Sequence, residues 1–142
     1  MSAYHTYGTD FVDQDCLVQA LQDVQCYKAQ VHDSPVHLID YCGRTRPDMA
    51  EIVVPRAQIN GAANDIGFKR QKNQTFKAII SEYDSCFHNA DWMEKLKDSY
   101  AERKSIQIGK SQGFAVSQRE TTKNAAGKKQ TVLHFTRVQA KA

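Results

Sequence analysis

The chain has 142 residues, 41% apolar and 25% charged, with 7 Gly, 3 Pro and a formal net charge of +3. That length is expected to form a single domain, 1–142, and the composition excludes a collagen-like chain, a disordered tail and a disulfide mini-scaffold. No apolar run approaches the ~20 residues that cross a bilayer, and Met1-Ser-Ala-Tyr-His5 lacks the basic start and apolar stretch of a secretory signal, so no membrane partner is expected.

Tyr4 to Phe11 is rich in aromatic and β-branched residues and reads as a first strand. Asp13 suits an N-cap, because its carboxylate can accept from the free N–H groups of a first helical turn. Cys16, Leu17, Ala20, Leu21 and Val24 then make one apolar stripe and predict a helix over 13–25. Tyr27 to His32 and Val36 to Tyr41 read as two strands around the turn residues Asp33-Ser34-Pro35. Glu51-Ile-Val-Val-Pro55 is a short strand whose proline marks an edge or an exit. Gly61-Ala-Ala-Asn-Asp65 is a loop. Asp65 to Arg70 is a strand with Ile66 and Phe68 on one side. Lys72-Asn73-Gln74 is a turn, and Thr75 to Tyr83 a strand in which Phe76, Ala78 and Ile80 alternate.

A second helix is predicted from Asp91, where Asp91-Trp92-Met93-Glu94 has the spacing of a capping box. Met93, Leu96, Tyr100 and Ile108 are its candidate core positions. Gly113 is a left-handed stop, whereas Gly109 has no reading from sequence and should cost about 1 kcal/mol against Ala inside a helix. Phe114 to Thr121 and Gln130 to Val138 form a terminal hairpin around Lys123-Asn-Ala-Ala-Gly127, with Phe114, Val116, Leu133 and Phe135 facing inward. The order β-α-β-β-β-β-α-β-β implies an α+β fold, an antiparallel sheet with two helices on one face.

Charge is unevenly spread. Residues 1–102 carry 10 Lys/Arg against 15 Asp/Glu, a balance of −5, and residues 103–142 carry 9 against 1, a balance of +8. Such a basic block can hold phosphates or an acidic protein surface. It also fits the solvated face of a hairpin and of a helix end, where cations are favoured by the macrodipole.

Cys16, Cys26, Cys42 and Cys86 are irregularly spaced and contain no Cys-x-x-Cys pair, against a zinc ribbon or a thioredoxin-type site. Reduced thiols and a cytoplasmic compartment are expected. Cys86-x-His88 beside Asp84 could bind zinc or pair a nucleophile with a base, but no neighbouring His or Cys completes a ligand set. Ile108-Gly-Lys-Ser-Gln-Gly113 lacks the upstream glycine of a P-loop. Tyr41 with Arg44 and Arg46, and Phe68 with Lys69 and Arg70, put cations beside aromatics, a pairing that can hold phosphates and stack bases. Arg44 and Arg46 can equally pair with Asp40, Asp48 and Glu51.

Met1-Ser-Ala-Tyr-His5, Asp15-Cys-Leu with Ala20-Leu21 and Asp23, Tyr41 with Gly43, Ala50-Glu-Ile-Val-Val54, Asp65-Ile-Gly-Phe-Lys69, Tyr100-Ala101 and Gln112-Gly-Phe114 occur in that order. Together they resemble a family of small proteins from cyanobacteria and algal plastid genomes, named for hypothetical chloroplast open reading frame thirty-five. The chain departs from that family's pattern in having only Trp92 near the second helix, Arg137-Val138 in place of a final Arg-Trp, and a longer loop at Gly61-Ala-Ala-Asn64. The resemblance implies an α+β fold and a cytoplasmic location, or the plastid stroma for a plastid-encoded member. It implies no activity and no catalytic residue.

The leading expectation is a small non-enzymatic accessory protein that docks on an acidic macromolecular partner through Arg103, Lys104, Lys110, Arg119, Lys128, Lys129 and Arg137. The alternative is a single-stranded RNA-binding domain on the same strip, with Tyr41, Arg44, Arg46, Phe68, Lys69, Arg70 and Phe135 contributing. The third is a thiol or zinc enzyme around Cys86 and His88. No cofactor is expected, and pairing of edge strands with a second copy stays open.

Overall fold

A computed structural model of the protein describes residues 3–138. The strands and helices are β1 (Tyr4–Tyr7), α1 (Gln14–Gln25), β2 (Gln30–Ile39), β3 (Thr45–Val54), β4 (Ile66–Arg70), β5 (Phe76–Ser81), α2 (Ala90–Ser111), β6 (Phe114–Lys123) and β7 (Lys129–Arg137). The order is the predicted β-α-β-β-β-β-α-β-β and the fold is α+β; of the five strand segments read between the helices, the two around Asp33-Ser34-Pro35 are one strand, which leaves the four of that order. The strands divide between two sheets, so the terminal hairpin does not extend the main one. The chain forms two compact units, Met1–Tyr100 and Ala101–Ala142, and α2 contributes residues to both.

The first unit holds a five-stranded antiparallel sheet in the order β1-β5-β4-β3-β2. Ile52, Val54, Ile66, Phe68, Phe76, Ala78 and Ile80 project from one face into a core shared with Leu17, Ala20 and Leu21 of α1 and Trp92 and Leu96 of α2. Both helices therefore cover the same face. The opposite face carries a smaller cluster of Leu38, Ala50, Val53 and Ile79, with Tyr4 and Val36 packed on it.

Local chemistry sets the helix ends. Asp13 Oδ1 accepts from the Cys16 N–H at 2.9 Å, as predicted. The second helix starts earlier than expected, because the cap is Asn89, whose Oδ1 accepts from the Trp92 N–H at 3.1 Å, and not Asp91. Of its four candidate core residues Leu96 is buried, Met93 and Tyr100 are half-buried against the core, and Ile108 is exposed. Trp92, which the stripe left out, is buried, with its Nε1–H donating to Gln25 Oε1 at 2.8 Å.

The largest departure from the sequence reading lies in β2. Asp33-Ser34-Pro35 is not a turn between two strands; it lies inside one strand. Val31 pairs with Ile52 and Val36 with Ala50, so β2 carries extra residues there as a bulge. β2 is an edge strand, where Pro35 forfeits no interior ladder bond. The chain turns instead at Asp40–Arg44. The Gly43 N–H donates to the Asp40 carbonyl at 2.8 Å, and Asp40 Oδ1 accepts from the N–H groups of Cys42 and Arg44 at 3.0 and 2.9 Å.

In the second unit α2 ends at Gly113, whose φ of +84° matches the predicted stop. The β6–β7 hairpin closes through a Gly127 N–H to Asn124 carbonyl bond of 2.9 Å, with Gly127 at φ +78°. Phe114, Val116, Leu133 and Phe135 share one ribbon face, as expected; Phe114 and Leu133 are half-buried there, whereas Val116 and Phe135 stay exposed. Among the described residues none after Leu96 is fully buried. A two-stranded ribbon with one helical segment has too few layers to enclose a side chain.

Candidate functional site

The cations of the second unit are ordered by strand register. Phe114 pairs with Arg137, Val116 with Phe135, Arg119 with Leu133, Thr121 with Thr131 and Lys123 with Lys129. Side chains alternate between faces along a strand, so these ten share one face of the ribbon. All four Lys or Arg residues within the two strands, Arg119, Lys123, Lys129 and Arg137, are among them, and all four are exposed. The other face carries Ala115, Gln118, Glu120, Thr122, Gln130, Val132, His134 and Thr136. On it His134 Nε2 lies 3.4 Å from Glu120 Oε2.

The cationic face is the one that meets α2 within this unit. Arg119 Nε donates to Glu102 Oε1 at 2.7 Å, and the Phe135 ring lies where a Cβ on Gly109 would come within 2.7 Å of it. Gly109, unexplained in the sequence, is thus the place where the helix admits an aromatic ring. Arg137 stacks on the Phe114 ring with its guanidinium carbon 4.9 Å from the centroid. Lys104 Nζ donates to Gln107 Oε1 at 2.9 Å. Arg103 and Lys104 are half-buried on α2, whereas Lys110, Lys128 and Lys129 are exposed. Register brings together Arg119, Lys129 and Arg137 of the predicted set, and adds Lys123.

The secondary basic and aromatic candidates lie in the first unit and serve its fold. Phe68 is fully buried in the core, so its ring cannot stack a base, contrary to the sequence reading. Arg70 Nη1 donates to the carbonyls of Val12 and Gln74 at 2.8 and 2.7 Å and covers the Phe76 ring. Arg46 Nη1 lies 3.6 Å from Asp40 Oδ2, which is one of the internal pairings expected for it. Lys69 sits opposite Lys77 across β4 and β5. Tyr41 and Arg44 remain exposed at the 40–44 turn beside Cys42. There the Arg44 guanidinium first, and the Tyr41 hydroxyl second, pull the Cys42 thiol below its usual range. Burial pushes the Asp40 carboxyl up, but the Arg44 and Cys42 N–H groups and the two arginines outweigh it and hold the carboxyl below its usual range.

Cys86 and His88 part company. Cys86 is exposed, while His88 is buried, with its ring edge-on to Trp92. The Asp84 carbonyl lies 3.2 Å from His88 Nδ1, which places the ring proton there. Nε2 then accepts from the Tyr27 hydroxyl at 2.8 Å. Burial pulls His88 below the usual imidazole range, opposed by the Asp84 carbonyl and charge, and burial likewise pushes Tyr27 up. No group of three His, Cys, Asp or Glu residues is arranged to hold a metal among the described residues.

Next to His88 lies a buried polar knot that the sequence did not announce. Asp84 Oδ2 accepts from Ser81 Oγ at 2.7 Å, from the Asn64 N–H at 3.0 Å and from Asn64 Nδ2 at 3.3 Å. Ser81 Oγ in turn accepts from Asn64 Nδ2 at 2.9 Å. The serine donates to a carboxylate and not to an imidazole, so it is held in place and not activated as a nucleophile. Asp84 Oδ1 has no hydrogen-bond partner among the described residues.

A family model described as protein of unknown function (DUF1257) matches residues 20–132. The chain belongs to this family. No curated protein and no solved structure matches it with significance. The DUF1257 span takes in the polar knot, the 40–44 turn and most of the cationic face, and stops short of Arg137.

Within that span the segment Asp65-Ile-Gly-Phe-Lys69 has a structural explanation. Asp65 Oδ2 accepts from the Ile39 N–H and Oδ1 from the Arg56 N–H, both at 2.8 Å, and its carbonyl accepts from the Tyr4 hydroxyl at 2.9 Å. One residue thus ties β1, the end of β2 and the chain after β3. Ile66 and Phe68 fill the helix-covered core, and Gly67 lets Leu38 and Ala50 close on the other face. An aspartate at a strand start signals a cap, but nothing in the one-dimensional pattern says that three distant segments meet on it.

Proposed function

We propose that this DUF1257 protein is a non-enzymatic docking protein that holds an acidic macromolecular partner on the cationic face of its second unit. The observation that supports this most is register: every Lys and Arg within β6 and β7 falls on one ribbon face and every one is exposed. Arg119 is already paired with Glu102, but the other aligned like charges, Lys123 opposite Lys129 among them, repel one another, and an anionic surface relieves that repulsion. A unit with no fully buried described residue also gains stability from whatever covers it. The polar groups that resemble catalytic ones, Ser81 and His88, are committed to internal hydrogen bonds, which argues for binding over bond-making.

The finer placement is the cyanobacterial and algal-plastid family named for hypothetical chloroplast open reading frame thirty-five, with a cytoplasmic or stromal location. The test is a pull-down at low salt with the full chain and with Lys128→Glu/Lys129→Glu. A partner retained by the parent and lost with the double reversal, and eluted by salt, is the expected result. Retention by both proteins would place the docking surface elsewhere. Capture of single-stranded RNA with a steep salt dependence would favour the nucleic-acid reading instead.

A further inference from the structure

Among the described residues β7 pairs with β6 alone, so its other edge carries main-chain groups that no described strand pairs. Eight of its nine residues are exposed and Leu133 is half-buried. Two bonds establish which groups face outward. The Asn124 N–H donates to the Lys128 carbonyl at 2.8 Å, and the Val138 N–H to the Gly113 carbonyl at 2.7 Å. Hydrogen-bonded pairs alternate with non-bonded pairs along an antiparallel ladder. Counted from either end, Gln130, Val132, His134 and Thr136 turn their N–H and C=O groups toward β6. Lys129, Thr131, Leu133, Phe135 and Arg137 turn theirs outward. The extra residue of the hairpin's bulge lies on β6, between Val116 and Gln118, so the edge of β6 is interrupted and that of β7 is not.

The residues with outward backbone groups are the same ones whose side chains form the cationic face. A strand added to β7 places its own side chains beside them: next to Lys129 and Arg137 at the ends, and next to Leu133 and Phe135 toward the middle. A second copy of β7 paired antiparallel about Leu133 would bring Lys129 against Arg137, a like-charge contact at both ends. An extended segment with carboxylates at its ends meets complementary charge instead.

We infer that the free edge of β7 binds an extended acidic segment of a partner protein by strand addition. Its carboxylates lie beside Lys129 and Arg137 and its apolar side chains beside Leu133 and Phe135. This deepens the docking function proposed above and rests on it.

The probe is a fluorescein-labelled nine-residue peptide, Glu at both ends, with valines at the other odd positions and threonines at the even ones. A second version carries N-methyl groups on its valines, which removes the N–H groups that would meet β7 and leaves the charge unchanged. Anisotropy with the full chain should show the methylated peptide binding about ten-fold more weakly, or less. Thr131→Pro should weaken the parent peptide similarly with an unchanged circular dichroism spectrum, because the Thr131 N–H faces outward and serves no ladder bond. Equal affinity for the two peptides overturns strand addition. If Lys129→Glu/Arg137→Glu abolishes that binding, docking by charge alone survives. Absence of binding by the parent peptide overturns the inference, as does self-association of the protein that Thr131→Pro abolishes, which would assign the edge to a second copy.

Discussion

Gly67 has no room for a methyl group. A Cβ there would sit 2.8 Å from the Ala50 Cβ and 3.0 Å from a Leu38 methyl, inside the second cluster of the sheet. Gly67→Ala should therefore destabilise the protein by about 1–3 kcal/mol, the usual cost of overpacking, read as a lower urea midpoint. Asp65→Ala removes the acceptor for two backbone N–H groups and should cost about 3 kcal/mol in the same measurement. His88 gives a pH signature. Its folded-state pKa is depressed, first by burial, so the unfolded chain takes up a proton near pH 6.5 before the folded chain does. The contribution to stability is present above pH 6.5 and is lost as pH falls toward the folded value. Melting temperature should drop between pH 7 and pH 5, with a shallower slope in His88→Gln. At the 40–44 turn, iodoacetamide should alkylate Cys42 readily at neutral pH and more slowly in Arg44→Gln, because the guanidinium that favours the thiolate is gone.

The helices and the hairpin obey short-range rules, and their ends respond to single substitutions. Asn89→Ala removes the α2 cap and should lower stability by about 1 kcal/mol, whereas Asp91→Ala should cost less because its carboxylate is not the cap. The residue pattern gave α1, the β4 and β5 strands and the stop at Gly113 with little error, since amphipathic spacing and glycine punctuation are local. It failed at β2, where Asp33-Ser34-Pro35 has turn chemistry yet sits in a bulge at the sheet edge. Nothing local distinguishes a turn from a bulge; the pairing of Val31 with Ile52 and of Val36 with Ala50 does. Gly109 was opaque for the same reason, because its partner Phe135 lies twenty-six positions away.

At the scale of the whole molecule, the two units differ in what they bury. Met1–Tyr100 contains every fully buried described residue, and Ala101–Ala142 contains none. Backbone amides of β6 and β7 should exchange with solvent faster than those of β4 and β5, because opening the ribbon exposes little apolar surface. Hydrogen exchange read by mass spectrometry checks this, and protection of the ribbon by an added partner would mark the docking face.

Composition and near-neighbour spacing were enough for the α+β class, the two helices and the excess of positive charge after residue 102. The sequence named Arg119, Lys129 and Arg137 as binding candidates, but it could not place them, or Lys123, on one face, because that depends on a hairpin register that contains a bulge. Tertiary structure alone decided that Phe68 is core, that Cys86 and His88 separate, and that Asn64, Ser81 and Asp84 close into a knot. Burial and hydrogen bonding between distant segments are properties of the packed chain, and side-chain type leaves them undetermined.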